Sequence, residues 1–399
     1  MSTDVTAVAG GNAAVLERLE RHAPGLWHPR VAFVRGEGAL LYDADGREYI
    51  DCLAGIGVAS VGHGNQRLAA AVAEQAARLI VCPQNLGSDV RARFLEELFT
   101  FLRPPLERVF LSNSGAEANE AALKWARVAT GRSRFVAMRR GFSGRTLGVL
   151  PLTWEPKYRE PFERGEPTVT FVTLGDEDEL AAAVTEETAA VVIEPIQGES
   201  GIRPAPESYL RLARELTRER GALLVLDEIQ SGVGRTGTFL ASEPSGVEPD
   251  VVTLAKGLAG GVPIGATVMT AAVAAAMPPG GHGTTFGGNP LSAAAGLAVL
   301  EEIRERDLMG RASRLGERLM AGLRALGDPR VVEVRGRGLM VGMELRTPVA
   351  PLVSALLEAG VVTTSGGSHT LRFLPPLVIE EAQVDEVVAR VGWALAGLS

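Results

Sequence analysis

Short apolar, β-branched runs alternate with stretches of helical periodicity over the middle of this chain, and nothing else in it constrains the fold as strongly. The runs are 108–112, 134–138, 169–174, 189–194, 222–227, 250–254 and 266–269, and helical patterns occupy 116–129, 177–184, 206–220 and 290–304. Several runs are apolar throughout rather than on every second residue, which is the pattern of strands covered on both faces. Joining parallel strands needs a crossover, usually a helix. The alternation therefore predicts an α/β domain built on a largely parallel sheet. In open sheets of this kind ligands bind beyond the carboxyl ends of the strands, so chemistry is sought just after each run.

The pattern changes near Val331. The segment VVEVRGRGLMVGMEL reads as a hairpin, followed by a helix from Ala350, a strand at 370–373 and a last helix from Glu380. At the other end, the first thirty residues read as an arm with one short helix. Residues 39–56 read as β-rich pieces around a turn at 43–46, and 67–79 as an amphipathic helix. The 399 residues suffice for two or three folding units at about 150 residues each. The expected division is 1–65, an N-terminal arm and part of a small domain; 66–290, a large domain; and 291–399, the rest of a smaller α+β domain built from both termini.

Composition removes several classes of function. The formal net charge is −8, opposite in sign to a nucleic-acid binder. No apolar run reaches the roughly 18 residues of a membrane span, and the start has no basic segment followed by an apolar block, so a cytoplasmic protein is expected. Two cysteines, Cys52 and Cys82, make neither a disulfide framework nor a four-thiolate zinc site. His22, His28, His63, His282 and His369 lack metal or triad spacing, so neither a metal nor a catalytic histidine is expected.

Three places after strands carry chemistry. The first run leads into Asn113-Ser114-Gly115-Ala116-Glu117. Ser114 and Glu117 have capping-box spacing, Gly115 admits close approach to the backbone, and a helix N-terminus suits a phosphate. Taken alone, this is an ordinary helix cap. The run 222–226 ends in Asp227-Glu228, where a carboxylate faces the ligand crevice and suits a cation; a strand-end turn residue is the plain alternative. Magnesium with a nucleotide would suit it too, but the chain lacks a GxxxxGK[ST] phosphate loop.

The third is Lys256, in the apolar, glycine-rich stretch DVVTLAKGLAGGVPIGA. Lysine and arginine together number 40, yet only Lys124, Lys157 and Lys256 are lysines. Arginine stays charged, so these three are the candidates for an amine that must lose its proton. Lys124 falls mid-helix and Lys157 sits among charges in TWEPKYREP, so both read as solvated. Lys256 reads either as a snorkelling side chain or as a desolvated amine of depressed pKa, the nucleophile that forms Schiff bases with carbonyls. A phosphate site, a strand-end aspartate and such a lysine together are what pyridoxal phosphate requires.

The motifs SNSGAEANEAALKWAR (112–127), IEPIQGESG (193–201), LDEIQSGVGRTG (226–237), LAKGLAGGVPIGA (254–266) and GHGTTFGGNP (281–290) resemble the class III, fold-type-I pyridoxal-phosphate aminotransferases, from about Leu41 to the end and in family order. GFSGRT (141–146), TWEPKYREPF (153–162) and LRFLPPLVIE (371–380) are similar to the acetylornithine-type branch, and within it to enzymes that aminate a semialdehyde held on an amino-group carrier protein in lysine biosynthesis. The resemblance implies the fold-type-I transferase architecture, a large domain with a mostly parallel mixed sheet and a smaller α+β domain. It implies pyridoxal 5'-phosphate as cofactor and a homodimer with the active site at the interface. It also implies glutamate and 2-oxoglutarate as the amino-group couple, and an acidic carrier protein as a possible partner.

Residue by residue, the resemblance makes Lys256 the cofactor lysine, with Asp227 on the ring nitrogen and Gln230 at the ring hydroxyl. Ser114, Gly115 and Ala116 would hold the phosphate, helped by Thr285 from the second subunit. Phe142 would stack on one ring face and Ile229 pack on the other. Arg145 and Thr284 would contact substrate, Arg372 would bind a carboxylate of glutamate, and Glu199 would pair with Arg372 when the other substrate enters. Arginine binds carboxylates in bidentate fashion, which is the physical basis of both arginine roles.

Two positions depart from the family pattern. Phe142-Ser143 stands where many acetylornithine enzymes have Phe-His, which favours the carrier-protein branch over N-acetylornithine as substrate. His63-Gly64-Asn65-Gln66 replaces an HxHP motif at a helix entry. A non-catalytic phosphate-ligand binder on the same scaffold is the reading of a different class, and it leaves a desolvated lysine without a use.

Overall fold

The computed structural model describes residues 8–26, 28–162 and 168–398. The first seven residues of the expected arm lie outside them. Helix α1 (Gly11–His22) precedes three strands, β1 (Phe33–Glu37), β2 (Leu40–Asp43) and β3 (Glu48–Asp51), paired antiparallel in sequence order. The turn between β2 and β3 is the expected one at 43–46. Asp43 Oδ1 accepts from the backbone N–H of Asp45 (3.0 Å) and Arg47 (2.8 Å), and Gly46 supplies the left-handed φ of 86°.

Helix α2 (Gln66–Arg78) begins at the altered motif. Asn65 Oδ1 caps it by accepting from Leu68 N at 2.9 Å, so the departure from the family pattern leaves a competent helix entry. His63 turns away, with Nε2 2.7 Å from Asp51 Oδ2. Helix α3 (Asp89–Phe101), which the sequence reading did not mark, buries Val90, Phe94 and Leu98.

The central sheet comprises β4 (Leu106–Ser112), β5 (Arg134–Met138), β6 (Thr168–Val172), β7 (Thr188–Ile193), β8 (Leu223–Asp227), β9 (Val251–Leu254) and β10 (Gly265–Thr270). Its spatial order is β4-β10-β9-β8-β7-β5-β6. All neighbours are parallel except β10, which runs antiparallel to both β9 and β4. The sheet is thus mostly parallel and mixed, as expected. Every residue of β7 and β9 is buried, which explains text that is apolar but for Thr188 and Thr253. Helices α4 (Gly115–Thr130), α5 (Glu177–Ala183), α6 (Glu207–Arg220) and α7 (Pro290–Glu305) agree with the helical patterns to within two residues at either end.

Helix α8 (Leu308–Ala325), also unmarked by the sequence reading, leads into the second lobe. There β11 (Val331–Arg337), β12 (Met340–Leu345), β14 (Thr364–Gly366) and β15 (Thr370–Phe373) form an antiparallel sheet ordered β11-β12-β15-β14, with α9 (Ala350–Glu358) and α10 (Glu381–Gly397) beside it. The two-residue β13 (Val361–Val362) pairs in parallel with β3, so the N-terminal strands share a sheet with C-terminal chain. Among the described residues no helix is long and apolar enough to cross a membrane.

Candidate active site

The carboxyl ends of β4, β7, β8 and β9 open on one cavity of about 390 Å³. Of the residues singled out in the sequence, Ser114, Gly115, Ala116, Phe142, Arg145, Glu199, Asp227, Ile229, Gln230 and Lys256 line it.

Ser114 is the N-cap of α4, and its hydroxyl accepts from Glu117 N at 3.2 Å. The return bond is shifted by one residue from a capping box. Glu117 Oε2 accepts from the backbone and side-chain nitrogens of Asn113, at 2.6 and 2.9 Å, rather than from Ser114 N. The first N–H groups of a helix have no intrahelical partner, so those of Gly115 and Ala116 face the cavity, at the positive end of a 16-residue helix. The cradle is tight. A Cβ on Gly115 would lie 2.9 Å from Ile229, and one on Gly265 would lie 2.2 Å from Ser114 O.

Asp227 ends β8 with its carboxylate buried. Asn119 Nδ2 donates to Oδ2 at 2.7 Å, and Ile229 N donates to Oδ1 at 3.1 Å. Burial pushes its pKa up to about 6 against these hydrogen bonds and the attraction of Lys256. Lys256 follows β9 and adopts a φ of 40°. For a residue with a side chain this backbone costs on the order of 1–3 kcal/mol and persists only where its surroundings hold it. Ser60 Oγ fixes the next residue by donating to Gly257 O at 2.9 Å. Burial pushes the Lys256 ammonium below the usual lysine range; neighbouring Arg372 also lowers it, while Glu199, Glu194 and Asp227 oppose. Lys256 is half-buried and lines the cavity. Lys124 and Lys157 are both exposed.

Arg372, on β15, reaches the same region from the other lobe and is only 2% exposed. Its Nη1 donates to Glu199 Oε1 at 2.7 Å, to Gly198 O at 3.1 Å and to Gln230 Oε1 at 3.3 Å. Its buried Nε has no hydrogen-bond partner among the described residues. Burial raises the Glu199 pKa, but Arg372 outweighs it and holds the carboxyl below the usual range. Arg145 stands at the mouth, exposed, 3.6 Å from the centroid of the Tyr158 ring and 5.5 Å from that of Phe142.

Two residues fall elsewhere. Thr285 is exposed and does not line this cavity, and Thr284 meets its rim through a 3.2 Å bond from Asn113 Nδ2.

The sequence reading missed two contributors, Glu194 and Asn119. Glu194 follows β7 just as Asp227 ends β8, so the same strand-end signal marked it. Its oxygens accept from Phe142 N (2.9 Å) and Gly198 N (3.2 Å), and burial, then the charge of Asp227, pushes its pKa up to about 8. Asn119 ties Asp227 to Ser143 O, donating at 2.8 Å, a role visible only once α4 is laid beside β8. Ser143, in place of the family histidine, is buried and donates its N–H to Thr153 Oγ1 at 3.1 Å. Among the described residues no three His, Cys, Asp or Glu side chains cluster as metal ligands.

An anion cradle at a helix N-terminus, a buried carboxylate, a desolvated lysine and an arginine–glutamate pair suit pyridoxal phosphate and an amino acid, and define a pyridoxal-phosphate-dependent transferase. The class III aminotransferase model matches residues 23–395. The chain is 54% identical to the [LysW]-aminoadipate semialdehyde transaminase of Deinococcus radiodurans, covering 90% of this chain and 84% of that protein. It is 47% identical to the acetylornithine aminotransferase of Mycobacterium tuberculosis over 90% of both chains. Among solved structures it resembles the ornithine aminotransferase of Toxoplasma gondii, with a TM-score of 0.92, 32% identity and coverage of 96% of this chain and 94% of that one. The chain belongs to the class III aminotransferases, enzymes that use pyridoxal phosphate.

Proposed function

We propose that the enzyme moves an amino group between glutamate/2-oxoglutarate and the terminal aldehyde of 2-aminoadipate semialdehyde carried on an acidic amino-group carrier protein, giving carrier-bound lysine. The observation that carries the acceptor is the 54% identity to the Deinococcus radiodurans transaminase, against 47% to the acetylornithine aminotransferase of Mycobacterium tuberculosis. That second similarity supports N-acetylornithine as the alternative substrate.

When bound, pyridoxal phosphate supplies an electron sink for the bond broken at the substrate carbon. The protein does the rest. Gly115 and Ala116 N–H groups and the Ser114 hydroxyl hold the phosphate, and the partner's Thr285 completes that cradle. Asp227, fixed by Asn119 and Ile229 N, would hold the ring nitrogen as an anion, and Gln230 would orient the ring hydroxyl. Phe142 and Ile229 close on the two ring faces and exclude water. Lys256 would hold the cofactor, and its amine is the group placed to move the proton at the substrate carbon bearing the amino group. Arg372 receives the distal carboxylate of glutamate after Glu199 swings away, and Glu199 returns when the ω-amino substrate enters. Arg145 and Thr284 steady the substrate at the mouth.

A homodimer is supported by exposed Leu79, Ile80, Val81 and Leu86 close to exposed Phe286 and Thr285. Ile80 O accepts from Leu291 N at 3.4 Å, which brings the two segments together. Steady-state kinetics with carrier-bound lysine and with free N-acetylornithine test the acceptor. A kcat/KM at least 100-fold higher for the carrier-bound substrate is expected; equal values, or a preference for N-acetylornithine, overturn it.

A further inference from the structure

A larger cavity, of about 810 Å³, lies behind the catalytic one, on the other side of the loop that carries Glu199. Five arginines line it: Arg139, Arg140 and Arg203 from the large domain, Arg324 on α8 and Arg335 on β11. Leu174 and Val334 add apolar surface, so the cleft suits a carbon skeleton as well as charge.

The charges there do not balance. Arg139 pairs with Glu179. Arg335 meets Glu333 at 2.7 Å and shares Glu344 with Arg203, which lies 3.2 Å from it. Arg140 and Arg324 have no described carboxylate within ion-pair distance; Arg324 donates to Val334 O at 2.8 Å. Burial and then the neighbouring guanidiniums of Arg335 and Arg140 push the Arg203 pKa below the usual arginine range, the mark of crowded positive charge. A site of this size and sign is built for an anion.

The cleft also grips the gate loop. Gln197 Nε2 donates to Arg139 O at 2.8 Å, and Ser200 Oγ donates to Arg140 O. Arg203 Nε donates to Ser200 O at 3.2 Å, and Arg335 donates to Gly201 O at 2.6 Å and to Ile202 O at 2.9 Å. One face of residues 197–203 therefore carries the Glu199–Arg372 pair, and the other is held by the arginines of the cleft.

We propose that this cleft binds a small organic polyanion, a di- or tricarboxylate, that bridges Arg140 of the large domain to Arg324 of the second lobe. Drawing these guanidiniums together shifts the backbone at Arg140, whose carbonyl oxygen accepts from Ser200 Oγ of the loop, and so changes the balance between paired and open Glu199. The binding stands on the cleft alone, whereas its effect on glutamate rests on the gate role proposed above.

Citrate is the probe, titrated calorimetrically into the holoenzyme at constant ionic strength. Saturable binding is expected, at least tenfold weaker in Arg140→Gln/Arg324→Gln, whose glutamate kinetics without citrate stay within twofold of wild type. Citrate is also expected to change the KM for glutamate at least threefold in wild type and not in the double variant. Heats no larger than those of sodium chloride, or equal binding to both proteins, overturn the site. Binding to an acidic carrier protein that the double variant loses, while citrate is ignored, overturns the small-ligand assignment. Citrate binding without a change in KM overturns the coupling and leaves the site standing.

Discussion

Replacing Glu199 by alanine separates the two substrates of the enzyme. In the present structure Glu199 Oε1 is 2.7 Å from Arg372 Nη1, and Gln230 Nε2 donates to the same oxygen at 3.3 Å. Breaking a fully buried pair by removing one partner costs about 3–5 kcal/mol. Arg372 is buried, but the Glu199 side chain is 36% exposed, so water screens part of the interaction. A value of about 2 kcal/mol follows, or about 30-fold. In the proposed gate, glutamate displaces Glu199 before its distal carboxylate reaches Arg372. In Glu199→Ala that displacement is gone, so kcat/KM of the glutamate half-reaction should hold or rise by up to about 30-fold. The ω-amino half-reaction should fall by a similar factor, because a buried guanidinium is left facing a substrate without a matching charge. Single-turnover stopped-flow absorbance follows each half-reaction separately. Equal loss in both, or loss confined to glutamate, refutes the gate.

Three further outcomes follow from the same geometry. Asp227→Asn keeps the shape but removes the charge facing the ring nitrogen, so kcat should fall by about 3–4 kcal/mol of barrier, read in steady-state assays. Gly115→Ala places a Cβ 2.9 Å from Ile229 and pushes that side chain into the cavity, so cofactor affinity, measured by equilibrium dialysis, should weaken by about 1–3 kcal/mol. Glu194 has its pKa raised from 4.5 to about 8, so the folded cofactor-free protein holds a proton that the unfolded chain releases above about pH 4.5. The group therefore costs stability progressively as pH rises from there towards 8, and the drop in Tm across that window should be smaller in Glu194→Gln.

The strands and crossover helices of the large domain were legible because each is a continuous apolar run or an amphipathic repeat with its own cap. The interior of β7, TAAVVI, admits no other reading once it is bounded by turns. Helices α3 and α8 were passed over although the signal was there: Val90, Phe94 and Leu98 in one, and Leu308, Ala312, Leu315, Leu319 and Leu323 in the other, recur at helical spacing. Lys256 was legible by elimination among three lysines and Asp227 by its place at a strand end. Glu194 carried the same signal as Asp227. Asn119 carried none, since its value comes from lying under a carboxylate 108 residues away. The arginine cleft was equally hidden: in a chain with so many arginines, only the fold shows which five converge.

The central claim is that one amine lining the catalytic cavity, Lys256, carries the cofactor. Sodium borohydride reduction of the holoenzyme fixes the cofactor to the lysine that bears it, and peptide mass spectrometry locates the modified residue. The account predicts a pyridoxyl group on Lys256 and none on Lys124 or Lys157, with Lys256→Ala folded but without the adduct or turnover. An adduct on either of the other two lysines, or near-normal transamination by Lys256→Ala, would contradict it.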